Sequence, residues 1–224
     1  MAGLETVLDL PDGSLRRLLA EPAPFGRRRL LVSPGTPRPA VARLRAALDG
    51  SAESALDVLA IQDEVTVTGT GWRGTTRIVV RARRAGVDRH VVLCHASTGT
   101  PPEIQAGQDT ALGRVRTDPD ARLTAAELLF GPLGPGETFA LEYQAVAETR
   151  ESYFGRWLNG AGRRLELTVR FTPEAGAKRA HRIWRSDGNS AHKDVAQLRL
   201  IGGRLAHLAD FDVSPGFHGI RWTR

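Results

Sequence analysis

The chain has 224 residues, 41% of them hydrophobic and 25% charged, with a net charge of +6 and a single cysteine, Cys94. That length suits one large domain or two small ones and can bury a core without cross-links, while a lone thiol excludes an internal disulfide framework and fits a reducing compartment. No stretch approaches the roughly 18–20 apolar residues of a membrane span, and the opening MAGLETVLDL has neither the basic nor the apolar run of a secretory signal, so the expected location is the cytoplasm, away from membranes.

The N-terminal part reads as helical. In residues 4–20, Leu4, Val7 and Leu8 recur at helical spacing, and Pro11, Asp12 and Gly13 interrupt them. Ser14 can then cap a second piece with Leu15, Leu18 and Leu19 on one face. Two such pieces bury too little apolar surface to stand alone, so they need a partner surface. Residues 21–39 hold five prolines, two glycines and the run Arg27, Arg28, Arg29, and read as an irregular linker. Residues 39–50 read as another helix, opened by Pro39, striped by Val41, Leu44, Ala47 and Leu48, and stopped by Gly50.

Charge is concentrated here. Between positions 14 and 48 stand eight arginines against one acid, Glu21, so this segment carries +7 and the remainder sums to −1. Such a block suits either a solvated linker or contact with phosphate. Arg16, Arg17, Arg27, Arg28 and Arg29 are the residues expected to touch a nucleic-acid backbone, without reading sequence.

From about residue 60 the hydrophobic period changes from 3.6 to 2. Leu165, Leu167, Val169 and Phe171 alternate with Arg164, Glu166, Thr168 and Arg170, and Phe139, Leu141, Tyr143 and Ala145 share a face. Eleven such segments, separated by turn clusters and without intervening amphipathic helices, predict a mainly β protein: an antiparallel β-sandwich preceded by a short α-helical N-terminal segment. The division expected is 1–58, helical and Arg-rich, and 59–224, a β-sandwich. Segment 124–130 is ambiguous, because Ala, Glu and Leu also favour helix.

Catalytic and metal signatures are weak, so no catalytic residue, metal or cofactor is expected and the chain is read as not an enzyme. Gly69, Thr70 and Gly71 sit between strands and make a turn, not a dinucleotide loop. His90, Cys94 and His95 share a predicted strand, but His95 points away from the other two, and no CxxC or HxxxH spacing occurs. Cys94 reads as a small buried hydrophobe rather than a nucleophile. Arg77, Arg81 and Arg83 form a stripe that suits a solvated sheet face or an anion surface. Tyr153, Phe154, Arg156 and Trp157 lie in a loop-like stretch, 151–162, and are candidates for a plug over the sandwich, a ligand pocket or a subunit contact.

Two groups of segments resemble a known family. Residues 4–19, with Leu10, Pro11, Gly13, Ser14 and Leu15, resemble the closing helices of an XRE-type (Cro/repressor-like) helix-turn-helix domain. Residues 86–95, 126–144, 165–175 and 212–222 resemble the C-terminal β domain attached to such regulators in high-G+C Gram-positive bacteria. The resemblance implies a non-catalytic regulatory domain of a transcription regulator that binds an unidentified ligand, a second copy or a cognate helix-turn-helix partner. The scanning and recognition helices would precede Leu4, so no base-reading residue is carried over. The alternatives are a sequence-independent nucleic-acid or phosphate binder using segment 16–45, or an enzyme whose site carries no familiar motif.

Overall fold

The computed structural model describes residues 38–48, 54–158, 163–186 and 191–224. Contacts divide the chain at Leu30/Leu31, and every described residue belongs to the second unit, Leu31–Arg224. The expected helical pieces of residues 4–20 and Arg16, Arg17, Arg27, Arg28 and Arg29 lie outside the described residues.

The unit is mainly β with a short helix ahead of the strands, as the change of period predicts. Helix α1 is Arg38–Ala46, and Arg43 and Arg45 in its last turn complement the helix dipole. The strands are β1 Leu56–Val67, β2 Gly71–Ala82, β3 Val87–His95, β4 Glu103–Ala106, β5 Ala111–Asp118, β6 Leu123–Leu133, β7 Thr138–Glu148, β8 Tyr153–Leu158, β9 Arg164–Phe171, β10 Arg179–Arg185, β11 Lys193–Leu198, β12 Leu205–Asp210 and β13 Gly216–Thr223.

They form three sheets. Six strands run in the order β12-β9-β1-β2-β7-β4, four in the order β11-β10-β13-β8, and three in the order β3-β6-β5. Pairing is antiparallel except between β1 and β9, which run parallel from Ala60↔Arg164 to Val67↔Phe171. A parallel neighbour must come from a distant part of the chain, and β9 begins after seven further strands.

Alternation places one face of the large sheet inside. Leu165, Leu167 and Val169 of β9 are fully buried, as are Leu141 and Tyr143 of β7, while Arg73 and Arg77 of β2 point outward. The outward arginine stripe is partly neutralised: Arg83 hydrogen-bonds Asp57, and Arg81 lies 3.7 Å from the same carboxylate.

The three-stranded sheet differs because both its faces are covered. Ala126 and Leu128 of β6, with Val92 and Cys94 of β3, join the main core. The opposite face, Leu123 and Ala125 of β6 with Val91 of β3, packs against Ala40, Val41 and Leu44 of α1. Six consecutive residues of β6, Leu123 to Leu128, are therefore buried. Glu127 among them is satisfied by a forked pair of bonds from Arg114, at 2.9 and 2.6 Å. Arg43 of α1 reaches Asp118 at 2.7 Å. Among the described residues no helix is long and apolar enough to cross a membrane.

Candidate functional site

Residues 153–158 are an edge strand, not a loop. Gly155 and Arg156 hide its alternation, each for a physical reason. A Cβ at Gly155 would stand 2.3 Å from the His218 carbonyl oxygen and 2.7 Å from the Phe217 ring, so only glycine lets β8 pair this closely with β13. Arg156 turns its charge inward.

That charge is matched. Arg156 donates to Asp63 through Nε at 2.9 Å and Nη2 at 2.7 Å, and Nη2 also reaches the Thr76 hydroxyl at 2.6 Å. Thr76 donates to Asp63 Oδ1 at 2.6 Å. Asp63 is 1% exposed, on β1, and Thr76 is 3% exposed, on β2. The ion pair thus ties the edge of the four-stranded sheet to the centre of the six-stranded one. Burial alone would lower the Arg156 guanidinium, but the Asp63 carboxylate outweighs it and holds the group well above its usual value. Tyr143 and Cys94 complete the cluster, and burial pushes both up. The Tyr143 hydroxyl lies near Thr76 and Cys94 but meets neither at hydrogen-bonding geometry.

Beside this clasp is a small pocket of about 40 Å³. Its walls include Trp72 of β2, Tyr153 and Phe154 of β8, and Phe217 of β13, with His95 of β3 and Glu151 supplying polar groups. Trp72 and Phe154 meet edge to face at 5.2 Å, and Phe217 stands edge-on to Tyr153 at 6.0 Å. Such arrangements fix ring positions, since aromatic quadrupoles favour them.

Glu151 is held by one of its two oxygens. Oε1 accepts the Ser97 amide at 2.7 Å and also the Ser97 hydroxyl, which in turn lies 2.9 Å from the Tyr153 hydroxyl. No described residue meets Oε2 at hydrogen-bonding geometry, although the Tyr153 phenol stands close enough to interact with the same carboxylate. His95 is partly buried, and burial, with a smaller contribution from Arg122, pushes its imidazole down to about 4. The ring is therefore neutral at pH 7, and no described residue hydrogen-bonds it. Burial likewise raises the Tyr153 phenol.

The four aromatic-segment candidates separate in space. Tyr153 and Phe154 line the pocket, and Arg156 is spent on Asp63. Trp157 stands edge-on to Phe217 at 6.0 Å, with the Arg185 guanidinium 5.6 Å from both rings. Trp72, His95, Glu151 and Phe217 were not among the expected site residues. Glu151 offered a signal, standing two residues before Tyr153; the other three come from strands of three different sheets and reach the pocket only through the packing of those sheets. Among the described residues, no three His, Cys, Asp or Glu side chains converge to hold a metal ion.

No family model matches the chain, and no curated protein matches it. Among solved structures it is similar to an M1 zinc metallopeptidase from Deinococcus radiodurans, at 17% identity over 74% of this chain and 42% of that one, with a TM-score of 0.42. An E323A mutant of a two-domain M1 zinc metallopeptidase bound to L-tryptophan gives 18% identity over the same shares, with a TM-score of 0.40. The Deinococcus E323A mutant bound to a Tyr-ser-ala substrate gives 18% and 0.38. The chain spans less than half the length of these proteins, and overlaps this loose carry neither an active site nor a substrate to it.

These findings correct the expected assignment to a transcription regulator. The solved structures named above are metallopeptidases, not helix-turn-helix regulators. The described residues contain one α-helix, α1, packed on a sheet, and no helix-turn-helix. The stretch that resembles the closing helices of a helix-turn-helix domain, residues 4–19, lies outside the described residues.

Proposed function

We propose that the β unit is a recognition module whose pocket takes a small organic cation. The observation that supports this is a carboxylate, Glu151, set among four aromatic side chains, Trp72, Tyr153, Phe154 and Phe217. Aromatic faces attract a cation by about 0.5–2 kcal/mol each, most strongly where water is excluded. A carboxylate oxygen without a donor adds a charge-assisted bond. The neutral His95 ring brings no opposing charge at pH 7. The reading assigns binding and assigns no reaction.

The test is an NMR titration with n-butylammonium against n-butanol, following the Trp72 indole and the Gly155 amide. The ammonium should move both signals and the alcohol should not. Glu151→Gln, which keeps an acceptor for Ser97 but removes the charge, should weaken the ammonium about tenfold, or about 1.4 kcal/mol. Equal responses to cation and alcohol would end the proposal.

A further inference from the structure

The pocket selects among cations. We infer that it takes a primary ammonium at the end of an alkyl chain and turns away quaternary ammonium groups; this rests on the cation-binding reading above.

Size is the first argument. A cavity of about 40 Å³ holds on the order of three water-sized groups. An ammonium and one or two methylenes fill that space. A trimethylammonium head brings a nitrogen and three methyl groups before its own chain begins, and it would have to push the rings apart. Those rings are braced: Trp72 against Phe154 at 5.2 Å, and Phe217 against both Tyr153 and Trp157 at 6.0 Å. Phe217 also lies against the backbone of Gly155, where an added Cβ would meet its ring at 2.7 Å.

Hydrogen bonding is the second, independent argument. A purely aromatic cage suits a quaternary ammonium, which has no N–H to satisfy. This pocket instead carries acceptors. Glu151 Oε1 receives two bonds, whereas Oε2 meets no described donor at hydrogen-bonding geometry, with the Tyr153 phenol a near neighbour of the carboxylate. The neutral His95 ring has one acceptor nitrogen and no partner among the described residues. A primary ammonium has three N–H donors and loses its hydration shell on entry, so it gains from both acceptors. A quaternary group can use neither and would leave both enclosed without a donor.

The experiment compares three ligands of one chain length on the unmodified protein: n-butylammonium, n-butyltrimethylammonium and n-butanol, each titrated at pH 7 by NMR. The expected result is that the primary ammonium binds at least about tenfold more tightly than the trimethyl analogue. If the two cations bind equally, or the trimethyl analogue binds better, with both ahead of the alcohol, the selectivity is wrong and the cation pocket stands. If neither cation outdoes the alcohol, the cation pocket itself falls. Ethylammonium supplies a second check, because a pocket that holds only the ammonium and one or two methylenes should bind it within a few-fold of the butyl compound.

Discussion

The two covered faces of the three-stranded sheet make opposite uses of burial. On one face, Leu123, Ala125 and Val91 meet Ala40, Val41 and Leu44 of α1 in an apolar cluster. On the other, Cys94 of β3 belongs to an interior that also encloses Asp63, Thr76, Tyr143 and Arg156. Apolar packing stabilises without directing anything. A buried ion pair rarely adds net stability over hydrophobic residues of the same volume, because desolvating two charges offsets their attraction. What the Asp63–Arg156 pair does supply is position. It pins β8 by three hydrogen bonds to β1 and β2, and β8 carries two of the pocket's four aromatic walls.

The sharpest way to break the comparison is to unpair the charges. Asp63→Ala leaves Arg156 enclosed without its partner and should cost about 3–5 kcal/mol, read as a lower urea midpoint. Replacing both members, Asp63→Leu with Arg156→Met, should recover most of that loss while slackening β8, so butylammonium binding should stay weak. A double variant as unstable as the single one would show that the pair contributes stability rather than position.

The helix face offers the contrasting change. Leu44, 8% exposed on α1, loses its contact with the sheet in Leu44→Ala, which should cost about 2–3 kcal/mol as transfer and cavity terms combine. Here ligand binding should be untouched, because none of the side chains packed with α1 lines the pocket. A drop in butylammonium affinity with Leu44→Ala would erase the distinction drawn between the two interiors.

The two regions were also unequally legible in the sequence. Where a strand has one wet side, the pattern could be read directly, as in Leu165, Leu167, Val169 and Phe171 of β9. Strand β6 resisted because α1 covers its second face, so Leu123 to Leu128 are all buried and period two disappears. Strand β8 resisted because Arg156 is a charge that points inward and Gly155 has no side chain to alternate. Tyr153 and Phe154 could be picked out as unusual aromatics in one stretch. Trp72, His95 and Phe217 could not, since β2, β3 and β13 belong to three different sheets that meet there by packing, which periodicity does not encode. The parallel match of β1 with β9 was hidden because periodicity does not encode pairing order either.

Acid titration gives the smallest of these effects. His95 has a pKa near 4 in the folded protein against about 6.5 when unfolded, because burial and then Arg122 disfavour its charged form. Between those values the unfolded chain binds more protons than the folded one, so stability rises with pH across this window. The contribution is complete above about pH 6.5 and is lost as pH falls through 4. A shift of this size corresponds to about 3 kcal/mol at full burial and, since the ring partly reaches solvent, to about 2 kcal/mol here. His95→Asn should therefore flatten the acid limb of stability in urea titrations at pH 7.5, 5.5 and 4.5. Some slope should survive, because burial also lowers His192 and His218, each with a neighbouring arginine adding to the effect. Leu44→Ala removes no titratable group, so it should shift the whole curve down without changing its slope. If His95→Asn leaves the slope unchanged, the ring is solvated in solution and cannot serve as the enclosed acceptor that ammonium selectivity requires.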